Sequence, residues 1–248
     1  MNVFRLMYST ILLLLISNYV YGNGPVYYSI PAISWGPYWL ISDQNISGIL
    51  SDVMKDLDRR LPYSFLASQR LPIKRAKFKF TQGGSVIECC VNIAWREPID
   101  SGGTTLWTDS VMVTEEVIIF PIGQSFPVTS VADLKGKTVA TILGYGYSGY
   151  DKFIRHDVQN NIAQLRRLVS GKSDAAIIDR FEFLYVLNHE PKVQAITDKF
   201  ELGPVIGQST LKMRIHSTRP DLLAPVNRVI KEMKVDGTIK KIVNSYIN

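Results

Sequence analysis

The run Gly83 to Glu97, GGSVIECCVNIAWRE, constrains this chain most. Its apolar part, Val86 to Val91, is short, rich in β-branched residues and preceded by a glycine pair, which is the pattern of a buried strand. Asn92, Trp95, Arg96 and Glu97 follow directly beyond its carboxyl end. In open α/β sheets, ligands bind just past the carboxyl ends of the strands. A tryptophan beside an arginine there offers an aromatic face and a planar two-pronged donor that matches a carboxylate. The competing reading is a solvated loop arginine with an edge-of-core tryptophan, and the strand alone does not separate the two.

The flanking elements set that strand in a sheet. Val26 to Ile33 reads as a first strand, leading into the loop SWGPYWLISDQN. Trp35, Tyr38 and Trp39 crowd that loop, where a core rarely places aromatics. Helix Gly48 to Leu61 follows, with Ile49, Leu50, Val53, Met54, Leu57 and Leu61 at three- and four-residue spacing. Strand Tyr63 to Ala67 comes next, then a helix after Pro72 carrying Ile73, Ala76 and Phe80. Lys74, Arg75, Lys77 and Lys79 make the densest cationic group and read as one wet face of that helix. The order β-α-β-α-β predicts a parallel sheet with right-handed crossovers.

A second unit begins near Val113. Glu116 to Pro121 and Thr138 to Leu143 read as strands. The glycine-rich loop GYGYSGYDKFI is then predicted to open a helix whose free amides can hold an anion. Gly144, Gly146 and Gly149 match G-x-G-x-x-G, but mid-chain and without the acidic residue expected about 20 positions on. Helix Ala163 to Ser170 and the short strand Ala175 to Ile178 follow. Asp179 stands at that strand's end, before a helix from Arg180 to Leu187. Asp179 either caps this helix or faces a cleft and accepts from a ligand amine. Strands Val193 to Thr197 and Leu211 to Ile215, then helices Asp221 to Lys234 and Thr238 to Ile247, complete the pattern.

The net charge of +6 is modest and scattered, and a nucleic-acid role would need a broader basic patch. Arg5 followed by a short apolar run reads as an export leader cut near Gly22, too short for a membrane span. The mature chain is therefore expected to be exported and soluble. The two cysteines, Cys89 and Cys90, are adjacent. Their α-carbons would lie about 3.8 Å apart across a trans peptide, whereas ordinary disulfides want roughly 4.4 Å or more. Two buried thiols are therefore expected. None of His156, His189 and His216 neighbours a candidate serine or cysteine, and no metal-ligand spacing is present. No catalytic residue, metal or cofactor is predicted.

With PYW in the aromatic loop, the motifs GILSDVMKDL, LPIKRAKFKFTQGG, DLKGKTVATILG, SGKSDAAIIDR and MKVDGTIKKIVNSYI run in one order. In this the chain resembles the family 3 extracellular solute-binding proteins, the periplasmic receptors of polar amino-acid ABC transporters. The resemblance implies a type II, two-lobed α/β fold, each lobe a mostly parallel sheet flanked by helices, joined by two crossing strands. Lobe 1 would contain 23–114 and 209–248, and lobe 2 115–208, closing on ligand by a hinge. Arg96 falls at the family's ligand-carboxylate arginine and Asp179 at its amino-group aspartate. Trp35, Tyr38 and Trp39 fall in the loop that packs on the ligand side chain. Gly144, Tyr145, Gly146, Tyr147 and Ser148 form the second-lobe loop whose amides meet the carboxylate, and Asn92 and Trp95 complete the set beside Arg96. The chain departs from the pattern in three places. Tyr145 and Gly146 stand where the family has threonines, Cys89, Cys90 and Asn92 replace small hydroxyl residues, and Glu97 to Trp107 is longer than usual. The implied function is a periplasmic monomer that captures a small polar solute, an amino acid or related compound, for an ABC permease. Two alternatives stand beside it. One is an enzyme on the same fold acting on cyclic carboxylates, with Glu88, Glu97 or Asp179 as acid or base by position. The other is a ligand sensor acting in trans.

Overall fold

The structure, a computed structural model, describes residues 24–96, 103–147, 149 and 151–248. The leader reading of 1–22, and the candidates Glu97 and Ser148, lie outside these residues.

Strands β1 (Val26–Ser29), β4 (Phe65–Ala67) and β5 (Ile87–Val91) pair in parallel in the order β4-β1-β5. The crossover helix α1 (Ile49–Arg60) buries Ile49, Leu50, Val53, Met54 and Leu57, the stripe its spacing predicts. A small hairpin, β2 (Leu40–Ile41) with β3 (Ile46–Ser47), precedes it. Helix α2 (Ile73–Thr81) starts after Pro72 and buries only Phe80.

Two long strands, β6 (Thr105–Pro121) and β10 (Phe200–His216), run antiparallel side by side through the centre. The sequence shows only their apolar ends, because side chains such as Leu202 and Val205 are half exposed where the strands pass between the lobes. Beyond them, β9 (Ala175–Asp179) pairs antiparallel with β6, and β7 (Thr138–Ile142) pairs in parallel with β9 and with β8 (Ile154–Val158). The whole is one eight-stranded sheet, β4-β1-β5-β10-β6-β9-β7-β8. Two parallel triplets are thus joined by an antiparallel central pair, which gives a two-lobed α/β molecule. The expected lobe bounds fall inside that pair, where Thr114 lies opposite Ser209 and Glu115 opposite Gln208.

The remaining helices cover the lobes: α3 (Asn161–Val169), α4 (Arg180–His189), α5 (Pro191–Gln194), α6 (Leu223–Val235) and α7 (Thr238–Ile247). One core fills the first lobe between α1, α6, α7 and the sheet. The second lobe has a core on each sheet face. Val117, Ile119, Ala176 and Ile178 point one way, and Ile118, Phe120, Ala175 and Ile177 the other, the two-residue period of a strand.

Several expectations are corrected. Among the described residues no helix follows Gly144; β8 does, an edge strand whose pairing with β7 supplies the order its mixed sequence does not signal. Residues 193–197 are not a strand: Pro191 at the first helical position starts α5, and a further 3₁₀ turn, Thr197–Lys199, follows. Tyr38 and Trp39, read as loop aromatics, are 0% and 3% exposed and belong to the first-lobe core. Cys89 and Cys90 are buried as expected but joined in a disulfide. The peptide between them is cis, with α-carbons 3.1 Å apart, so the trans spacing assumed above does not apply.

Candidate functional site

The aromatic loop is held by the helix that follows it. The first amides of α1 lack intrahelical partners, and Ile49 and Leu50 donate instead to the carbonyls of Pro37 and Tyr38, both at 3.0 Å. Only glycine fits at the approach. Gly48 has φ +107°, and a Cβ there would stand 2.6 Å from the Tyr38 carbonyl oxygen. Trp39 turns inward and stacks on Tyr28, ring centroids 6.2 Å apart. Trp35 remains half-buried, its ring 4.3 Å from that of Tyr38 and edge-on to Trp95 at 6.2 Å.

The polar ends of Trp35 and Tyr38 cross to the second lobe. The Trp35 indole N–H donates to Glu182 Oε1 at 2.6 Å, and the Tyr38 hydroxyl to Asp179 Oδ1 at 3.0 Å. Asp179 is the N-cap of α4, accepting from the amides of Phe181 at 2.9 Å and Glu182 at 3.1 Å, and Thr114 donates its hydroxyl to Oδ2. The capping alternative is therefore realised, and the first lobe reaches the same carboxylate. The other Glu182 oxygen accepts from Asn161 Nδ2 at 2.6 Å. Burial, then the Asp179 charge, pushes the Glu182 carboxyl up to about 8. Burial also raises Asp179, against its hydrogen bonds from Thr114, Tyr38 and the helix amides. Glu116 is raised by burial and by Asp179.

Helix α4 can sit here because it is apolar on more than one side. Phe183 and Val186 pack into the second-lobe core, while Phe181 and Leu184 pack against the first. Asn188 adds a 2.6 Å hydrogen bond to the Ile247 carbonyl at the end of α7.

Arg96 is engaged from within its own lobe. Its Nε donates to Glu88 Oε2 at 3.1 Å, its Nη2 to Glu88 Oε1, and its Nη1 to the Trp95 carbonyl at 3.0 Å. Arg214, fully buried with its guanidinium 3.9 Å from the Phe80 ring centre, donates its Nε to Glu88 Oε2, the oxygen that also accepts from Arg96 Nε. Burial alone would raise the Glu88 carboxyl, but the two guanidiniums hold it below its ordinary value. Asn92 caps the 3₁₀ turn Ile93–Trp95, accepting from the Ala94 amide at 2.9 Å.

In the loop after β7, Gly144 has φ +85°. A Cβ added at Gly144 or at Gly146 would meet no atom within 4 Å, so this backbone is open. Tyr147 folds under it and accepts from the Ile142 amide at 2.9 Å, while Arg155 Nη2 donates to the carbonyls of Ile142 and Tyr145. Tyr145 stays partly exposed, its phenol raised by burial and then by Glu182.

Of the expected residues, Trp35, Tyr38, Trp95, Asp179 and Tyr145 gather about this interlobe contact. Trp39 is in the core, Asn92 caps a turn, Tyr147 lies under its loop, and Arg96 sits on Glu88. Glu182, Thr114 and Asn161 escaped the sequence reading. Glu182 left one trace, a lone acid in the apolar run FEFLYVL, one helical turn past Asp179. Among the described residues no group of three or more His, Cys, Asp or Glu could hold a metal ion, and no helix is long and apolar enough to cross a membrane.

Structures of two-lobed binding proteins superpose on this chain. The GluR0 ligand-binding core in complex with L-glutamate matches with TM-score 0.71 at 14% identity, covering 91% of this chain and 99% of that one. The L-cystine solute receptor of Neisseria gonorrhoeae, in its unliganded open conformation, gives 0.67 at 15% identity, covering 91% and 93%. A mutant of ArgBP from T. maritima gives 0.64 at 18% identity, covering 90% and 95%. This is the two-lobed solute-binding fold. In sequence, the chain is 29% identical over 129 residues to the "Probable amino-acid-binding protein YxeM" of Bacillus subtilis strain 168. That match spans 49% of this chain and 47% of the relative, about half the length of each. No protein-family model matches the chain.

Proposed function

We propose that this chain is an exported solute-binding protein that captures a small amine-bearing solute, an amino acid or related compound, between its lobes for an ABC permease. The observation that carries this is the pair of carboxylates, Asp179 half-buried and Glu182 buried, met across the lobes by the Tyr38 hydroxyl and the Trp35 indole N–H. An ammonium group offers the same kind of donor to the same oxygens. Trp35 and Trp95 supply apolar faces beside it, and the open backbone at Gly144 to Gly146 supplies amides. Arg96, with one edge on Glu88, keeps an N–H on each terminal nitrogen for a ligand carboxylate. The lobes hinge within β6 and β10 near Thr114 and Ser209. The protein is a periplasmic monomer and performs no chemistry. Glu88, a candidate acid or base in the enzymatic reading, is held between two arginines.

A thermal-shift panel of amino acids, polyamines and organic acids tests this reading. A ligand at about 100 times its dissociation constant adds about 2.7 kcal/mol of stability. Asp179→Asn should weaken amine-bearing hits at least tenfold, since a hydrogen bond to a charged group contributes about 1.5–3 kcal/mol. A panel without any amine-bearing hit, or an Asp179→Asn variant that binds its ligand as tightly as wild type, overturns the proposal.

A further inference from the structure

We propose that helix α2 and the strand edge beside it form a docking surface for an anionic phospholipid bilayer. The helix touches the body of the protein through Phe80, which lies under Arg214 and edge-on to His216 at 5.6 Å. Its other large apolar side chains face water: Phe78 is 68% exposed and Ile73 63%. Lys74 lies four residues before Phe78 and Arg75 three, so both flank that ring on the outer side of the helix.

The charges carried by this segment itself are of one sign, Asp58 of the preceding helix lying against the Phe65 amide at its edge. From Leu61 to Ile87 the sequence holds no acidic residue, but it holds Arg70, Lys74, Arg75, Lys77 and Lys79. Among the described residues Arg70, Lys74, Arg75 and Lys79 form no ion pair, whereas on α1 Lys55, Arg59 and Arg60 each pair with Asp52 or Asp56. The same sheet face continues the apolar element. Tyr27 and Leu66 lie opposite one another on β1 and β4 and are 43% and 44% exposed. Tyr27 alternates with Val26 and Tyr28 of the first-lobe core, as Arg214 above Phe80 alternates with Met213 and Ile215. Both therefore point to the face that α2 covers.

Protruding aromatic and aliphatic side chains ringed by long cationic ones match the boundary between phospholipid headgroups and acyl chains. Rings and methyls enter there, while ammonium and guanidinium groups remain on the phosphates. A soluble polyanion would satisfy the charges and leave Ile73 and Leu66 in water.

Co-sedimentation of the full chain with vesicles decides the matter. Binding is expected to phosphatidylglycerol/phosphatidylcholine vesicles and not to phosphatidylcholine alone, and is lost at about 1 M salt, where screening acts within about 3 Å. Each basic residue near an anionic surface changes partition about fivefold, so Lys74→Gln/Arg75→Gln should weaken binding about 25-fold. Phe78→Ser should weaken it with no change in charge. Lys234→Gln/Lys240→Gln, with the same net charge, should bind like wild type. All five positions are exposed, so melting temperatures should not move. Wild-type chain that ignores phosphatidylglycerol, equal losses from both charge pairs, or binding to heparin without binding to vesicles would each overturn the proposal.

Discussion

Trp35 of the first lobe donates its indole N–H to Glu182 of the second at 2.6 Å, although the two residues are 147 positions apart. A carboxylate 4% exposed is met by neutral donors from the aromatic loop and from Asn161, with Asp179 as its charged neighbour. That arrangement makes the contact between the lobes sensitive to protonation.

Glu182 binds its proton more tightly folded than unfolded. Between its ordinary value near 4.5 and its folded value of about 8, folding takes up a proton, so stability falls as pH rises. The fall should approach about 1.4 kcal/mol per pH unit. Glu182→Gln should flatten it, as read from denaturant midpoints at pH 5, 6.5 and 8. An unchanged pH slope in the variant would show that Glu182 is not the group responsible.

Arg96→Ala strands Glu88 in a site that Arg214 alone must compensate. The alternative of a solvated loop arginine does not describe it, because Arg96 is paired with Glu88. Removing one partner of a buried pair costs about 3–5 kcal/mol, so the melting temperature should drop sharply without ligand. A wild-type melting temperature would return Arg96 to the cleft alone.

Gly48→Ala forces a side chain to φ +107° and places its Cβ against the Tyr38 carbonyl. Strain of this kind costs about 1–3 kcal/mol before the collision is counted. The loop carrying Trp35 should shift with it, so tryptophan emission should change along with stability. Stability and emission equal to wild type would mean that the loop is not pinned there.

Cys89 and Cys90 should yield no reactive thiol in denatured, unreduced protein and two per chain after reduction. Two thiols without reductant would restore the reduced pair.

The sequence by itself determined what depends on neighbours along the chain. The apolar stripe of α1, the strands β5 and β9 and the β-α-β-α-β order could be read because helix and strand periods are local. Asp179 as a helix cap was one of two readings, and the cap is a local device as well. Tertiary structure decided everything that depends on a partner distant in sequence. Tyr38 and Trp39 became core because α1 needed the carbonyls of their loop, and an aromatic side chain shows its direction only once the backbone is placed. Arg96 read as a ligand arginine, because its second partner, Glu88 at the middle of an apolar strand and shared with Arg214, shows only in the fold. Glu182 was hidden inside a helix pattern that signals burial. A buried acid is intelligible only with its donors, and Trp35 and Asn161 come from two other segments. The vicinal disulfide rests on a backbone geometry between two neighbours that residue types do not encode.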